Sequence, residues 1–218
     1  SAFALSPASP ERWKVVAEAR KGGEVSILTK PDGPLAAGTL FLDAAAARAA
    51  SPVAARLGVA LAPLSTLPPG AAKLRAPRVG LYKPWVPSAD EGWTRFLLER
   101  YGFAPATLDN AAIRAGKLAA KLDVIVLPDV AKEVLATGKP KREEGEMKYF
   151  AEPRPEYAGG LGKEGAAALR EFVEGGGTVV ALSSASEYLI EELQLPVRNV
   201  LARVKPDDFL CPGTLVRI

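Results

Sequence analysis

Two adjacent hydroxyls, Ser183 and Ser184, stand between an apolar run rich in β-branched residues (178–182) and a helical pattern at 187–193. A serine at a strand-to-helix corner is the arrangement of a nucleophile elbow, which raises the oxygen above a sheet to attack a carbonyl carbon. Attack needs a base that removes the hydroxyl proton, ordinarily an imidazole. The 218-residue chain contains no histidine, so a His-dependent triad, a histidine general base and a histidine metal site are excluded. Lys83 and Trp85 follow the apolar run at 79–82, and Asp129 follows the one at 124–127. Parallel strands bring their carboxyl ends to one crest, where open α/β sheets hold ligands. Lys83, Trp85, Asp129, Ser183 and Ser184 are therefore the candidate ligand-binding residues, with Ser184 the candidate elbow nucleophile. Simpler roles compete: Lys83 pairing with Asp129, Trp85 covering the sheet edge, and Asp90, Glu91 and Glu187 placing negative charge in first helical turns.

These residues are positioned by the stretch GGLGKEGAAALREFVEGGGTVVALSSAS at 159–186. Gly159, Gly160 and Gly162 permit a tight entry into a helix on which Ala166, Leu169, Phe172 and Val173 line one face. Gly175, Gly176 and Gly177 end it, and 178–182 reads as a strand buried on both sides. Earlier in the chain, 3–6 is a short apolar run, Ser9, Pro10 and Glu11 open a helix running to about Lys21, and 25–28 and 39–42 read as strands. Ala44–Leu57 is helical by propensity, with a break or a new start at Pro52. The proline-rich 61–77 reads as a linker, so a small α/β unit with its linker (1–76) precedes a larger α/β domain (77–218).

In that domain the strand at 79–82 leads to a helix from Ser88 on which Trp93, Phe96, Leu97 and Tyr101 form the apolar stripe. A brief strand at Thr107 and Leu108, a helix from Asp109 or Asn110 to about Lys121, and a strand at 124–127 follow. This βαβαβ alternation predicts a doubly wound, mostly parallel sheet. Residues 130–158 read as a long charged loop centred on 139–146, either functional or mobile or a solvated excursion or β-hairpin without chemistry, and 200–204 and 215–218 as the last strands.

Composition narrows the function. The single cysteine, Cys211, cannot form an internal disulfide and reads as a small buried hydrophobe. The 28 basic and 25 acidic residues are scattered, which gives nucleic-acid binding no support. No apolar run approaches the roughly 18 residues of a membrane span. A hydrophobic share of 48% with 24% charged residues suits a chain that buries a real core. A first residue of Ser1 rather than Met, and the strand-like end at 213–218, read as a fragment of a longer protein.

VGLYKPWVPSADEGWT at 79–94, with 96–103, 108–116, DVIVLPD at 123–129, 159–186 and FLCPGTLVRI at 209–218, resembles the C-terminal region of a bacterial group of zinc carboxypeptidase-like proteins. In that group a carboxypeptidase A-like metallopeptidase domain precedes a domain similar to class I glutamine amidotransferases. The resemblance covers 77–218, and 1–76 more weakly as the joining segment. Its most specific pieces are Asp90, Glu91, Gly92 and Trp93 and the glycine-bracketed helix at 159–177.

The resemblance implies a flavodoxin-like, amidotransferase-like fold, a periplasmic or secreted parent, and as partners the chain's own upstream peptidase domain or another copy of itself. A working class I amidotransferase uses an elbow cysteine activated by a His-x-Glu pair, whereas this chain offers Ser183 and Ser184 and no histidine. The zinc of the resembled peptidase is held by two histidines and a glutamate, so it would lie in the parent's upstream domain and no cofactor is expected in this chain. Three functions follow: a non-catalytic accessory domain for packing, oligomerisation or substrate recognition; a module binding a small polar ligand or glycan at the crest; and a His-independent serine hydrolase using Ser184 with a lysine or carboxylate.

Overall fold

The computed structural model describes residues 2–139, 153–202, 204, 205 and 207–209. The first five strands, β1 (Ala2–Leu5), β2 (Val25–Leu28), β3 (Leu40–Asp43), β4 (Ala62–Leu64) and β5 (Ala71–Lys73), make an antiparallel sheet in the order β4-β1-β3-β2-β5. Helices α1 (Arg12–Gly22) and α2 (Ala44–Leu57) pack on it through Val15, Val16, Ala19, Ala46 and Ala50, against Leu5, Leu40 and Leu42. Two expectations change here. The proline-rich stretch is not a bare linker, since β4 and β5 lie within it and form both edges of the sheet. Helix α2 runs unbroken through Pro52, held by the buried Ala46, Ala47, Ala50 and Ala54; tertiary packing of one face outweighs the local cost of the ring.

Asp43 ties this unit together. Its carboxylate accepts from Ala46 N at 2.7 Å, capping α2, and from Glu24 N at 2.9 Å across the turn that follows α1. These backbone donors hold the carboxyl below its usual range. Gly23 lies so close to Asp43 that a Cβ there would strike the carboxylate.

Strands β6 (Val79–Tyr82), β7 (Ala106–Leu108), β8 (Val124–Leu127) and β9 (Thr178–Ala181) form a second sheet, wholly parallel, in the order β7-β6-β8-β9. Alternation along the strands divides their side chains between two faces. Val79, Leu81 and Val126 meet Leu98 of α3 (Ala89–Arg100) on one. On the other, Tyr82, Ile125 and Leu127 meet Ile113 of α4 (Asn110–Arg114), Leu135 of α5 (Lys132–Thr137), Leu169 and Phe172 of α6 (Gly162–Glu174) and Tyr188 of α7 (Ala185–Glu192). The fold is thus α/β, with helices on both faces of a parallel sheet. No helix among the described residues is long and apolar enough to cross a membrane.

Several local expectations are corrected. The helix expected to reach Lys121 ends at Arg114, because Gly116 (φ 69°) and Lys117 (φ 53°) turn left-handed before a single 3-10 turn at Leu118–Ala120. The segment expected to be loop holds α5 and a 3-10 turn at Pro155–Tyr157. β9 is not buried on both sides: Thr178 and Val180 are exposed, because β9 is the sheet edge and, among the described residues, no helix covers that face of it. Residues 200–202 form a turn, not a strand. Cys211, 215–218 and most of 139–146 lie outside the described residues.

Arg78 joins the start of β6 to the end of the segment that precedes β8. Its backbone N–H and Nε reach Asp123 Oδ2 at 2.7 and 3.1 Å, Nη2 reaches Oδ1 at 2.8 Å, and Nη1 reaches Ala120 O at 2.7 Å. The guanidinium hydrogen bond lowers the Asp123 carboxyl to about 2. A depressed carboxyl contributes stability above its unfolded value and loses it as pH falls through the folded one. Unfolding followed by urea at stepped pH should therefore show the wild type losing stability between about pH 4 and pH 2, and Asp123→Asn lacking that portion of the loss. Asp43→Ala should lower stability by about 0.5–2 kcal/mol, the cost of a removed N-cap, read from the urea midpoint at unchanged slope.

Candidate functional site

The corner after β9 turns within two residues. Leu182 N donates to Leu127 O at 3.0 Å, extending the pairing of β9 with β8. Ser183 then takes φ 47°, an uncommon left-handed setting for a residue with a Cβ, and Ser184 is already helical at φ −60°, ψ −26°. The corner residue is therefore Ser183, one position before the expected Ser184. Both serines are exposed, and Ser186 Oγ donates to Ser183 O.

Asp129 comes off the end of β8 beside this corner, and its Oδ1 accepts from Ser184 N at 3.1 Å. Ser184 makes no side-chain cap of its own on α7, so the carboxylate of the neighbouring strand does that work, in the field of the helix N-terminus. The consequence for chemistry is direct. At an elbow, the N–H of the residue after the nucleophile is an oxyanion-hole donor. With Ser183 at the corner, that N–H belongs to Ser184, and a negative charge already occupies it. An oxyanion there would face a carboxylate rather than a free donor.

The other half of the crest is packed rather than open. Trp85 is half-buried, with its ring 5.4 Å from that of Tyr157 and the Arg154 guanidinium 5.9 Å from its centroid. Beneath it, Tyr82 OH donates to Asn110 Oδ1 at 2.7 Å, and Asn110 Nδ2 donates to Tyr157 O at 2.6 Å. Arg114 Nη1 donates to the carbonyls of Ala158 and Gly160. Burial pushes the Tyr82 phenol well up, so it stays protonated and serves as a donor. Lys83 is exposed at the end of β6, and among the described residues no ion pair joins it to Asp129.

Of the remaining candidate carboxylates, Glu91 and Glu187 are engaged structurally. Ser88 Oγ caps α3 by accepting from Glu91 N at 3.1 Å, and buried Glu91 pairs with Arg95 at 2.7 Å. Arg95 also reaches Thr107 Oγ1 at 3.1 Å. Glu187 accepts from Asn199 Nδ2 at 2.8 Å. Among the described residues no three Asp, Glu or Cys side chains converge as a metal site would require.

The structure thus brings Asp129 to Ser184, packs Trp85 on Tyr157, and leaves Lys83 in solvent. Sequence reading missed Tyr82, Asn110, Arg114 and Tyr157 as a group. Tyr82 ends an apolar run and Asn110 sits in a helix start, but partners 28 and 47 residues apart leave no local pattern. A cleft of about 860 Å³ opens away from the crest, where the two sheets join, lined by Trp13, Leu74, Tyr101, Phe103, Arg20 and Lys121 among others and, among the described residues, by no carboxylate, serine or cysteine.

Comparison of the chain with protein-family models, with curated proteins and with solved structures finds no match.

Asn110→Ala should destabilise the protein by about 1–3 kcal/mol, because it strands the buried Tyr82 hydroxyl. The double change Tyr82→Phe with Asn110→Ala should cost less than the sum of the single changes, as a double-mutant cycle in urea would show. Additive losses would mean the hydrogen bond carries nothing.

Proposed function

We propose that this chain is a catalytically silent, amidotransferase-like α/β domain preceded by a small α/β unit, and that it serves an upstream zinc carboxypeptidase-like peptidase domain in packing, oligomerisation or substrate recognition. The observation that carries this reading is the Asp129 carboxylate on the Ser184 amide, at a corner with serines in place of cysteine. The corner keeps the shape of an elbow, while its oxyanion donor is occupied and the chain has no imidazole to activate Ser183 or Ser184.

The strand order supports the finer fold assignment. Counted within the second sheet, β7-β6-β8-β9 is the order 2-1-3-4, which is how a flavodoxin-like sheet begins. The zinc of this reading belongs to the peptidase domain, since a carboxypeptidase A-like site takes two histidines and this chain has none. A periplasmic or secreted setting belongs to the same reading.

The purified chain, incubated with glutamine or with peptides, should release neither ammonia nor amino acid above a buffer blank. Hydrolysis that disappears in Ser183→Ala or Ser184→Ala would overturn the reading.

A further inference from the structure

The sequence places Trp93, Phe96, Leu97 and Tyr101 in one apolar stripe on helix α3, and the first three of these face outward. Glu91 is buried and paired with Arg95, whereas Trp93 is 67%, Phe96 48% and Leu97 51% exposed. The ion pair docks α3 on β7 through Thr107, and Leu98 is the side chain that meets the sheet. The outward face is ordered: Trp93 and Phe96 meet edge to face at 5.8 Å, and the Arg100 guanidinium lies 5.9 Å from the Phe96 ring. Beside the C-terminal half of the helix, Pro10, Trp13, Leu97, Leu98, Tyr101 and Phe103 enclose an almost wholly apolar hollow of about 350 Å³.

One half of the helix therefore carries a projecting indole and the other an apolar hollow. The charges run the same way. Asp90, Trp93, Leu97 and Arg100 fall on one side at helical spacing, with Asp90 at the first turn and Arg100 at the last. Neither Asp90 nor Arg100 has an ion-pair partner among the described residues. A two-fold axis crossing the helix near Arg95 sends Asp90 onto Arg100 and Trp93 onto the stretch beside the hollow. A single operation satisfies both the shape and the charge, which is the property of an isologous contact.

We propose that this face is the interface with a second copy of the chain. The two α3 helices lie antiparallel, each Trp93 seated in the other copy's hollow and each Asp90 against the other copy's Arg100. The inference does not depend on what the serine corner does. A buried tryptophan anchor ringed by charge is the usual form of an energetic centre in such contacts.

Sedimentation velocity over the micromolar range should show the 218-residue chain as a dimer dissociating on dilution. Trp93→Ala should raise the dimer Kd about tenfold or more while leaving the circular dichroism of the dilute monomer unchanged, because the side chain is exposed. Asp90→Lys and Arg100→Glu should each weaken the dimer, and mixing the two variants should restore it as a heterodimer, since the exchanged charges then oppose one another. A chain that stays monomeric throughout, a dimer indifferent to Trp93→Ala, or a mixture no tighter than either variant alone would overturn the proposal.

Discussion

Because β8 pairs in parallel with β6 on one side and β9 on the other, the chain leaves all three strands at the same edge and must return each time through a crossover. That constraint accounts for most of what the second unit does. It requires apolar side chains on both faces of β6 and β8, and it sets α3 against one face and α4 to α7 against the other. It also brings the residues after β8 and β9 side by side, which is how Asp129 comes to meet Ser184 across 55 residues of sequence. A corner built this way could have carried a nucleophile. The same adjacency supplies the carboxylate that occupies its amide.

Aspartates meet this need repeatedly along the chain. Asp43 accepts from Ala46 and Glu24 amides, Asp109 from Ala112, Asp123 from Arg78, and Asp129 from Ser184. Each satisfies backbone donors at a helix start or a strand entry that no other backbone group reaches. At Asp43 the backbone donors, and at Asp123 the Arg78 guanidinium, hold the carboxyl below its ordinary range. That direction is opposite to the one a general acid needs near neutral pH. The buried polar chain from Tyr82 through Asn110 to Tyr157 follows the same logic with neutral groups, fixing the 155–160 segment against α4.

Helix α3 departs from the pattern of an ordinary surface helix. Such helices turn a polar side to water, yet here the buried side holds an ion pair and the exposed side holds Trp93, Phe96 and Leu97. A contiguous apolar surface beside an apolar hollow marks a contact face, and its geometry is separate from the crest where chemistry would be sought.

Sequence alone determined the elements whose signal is local. The strands at 79–82 and 124–127, the glycine-bracketed helix at 159–177 and the Ser88 and Asp109 caps of α3 and α4 follow from apolar runs, turn residues and capping side chains. The absence of histidine likewise excluded a class of chemistry before any fold was known. Tertiary structure decided the rest, because those choices turn on partners far away in the chain. Pro52 stays helical through packed alanines, the proline-rich stretch at 61–77 supplies two edge strands, and the α3 stripe faces outward because Glu91 and Arg95 take the inner side. Ser183 rather than Ser184 became the corner residue, and Asp129 became its neighbour, only once β9 was set beside β8. Periodicity tells which residues share a face of a helix or strand, and only packing tells which way that face will point.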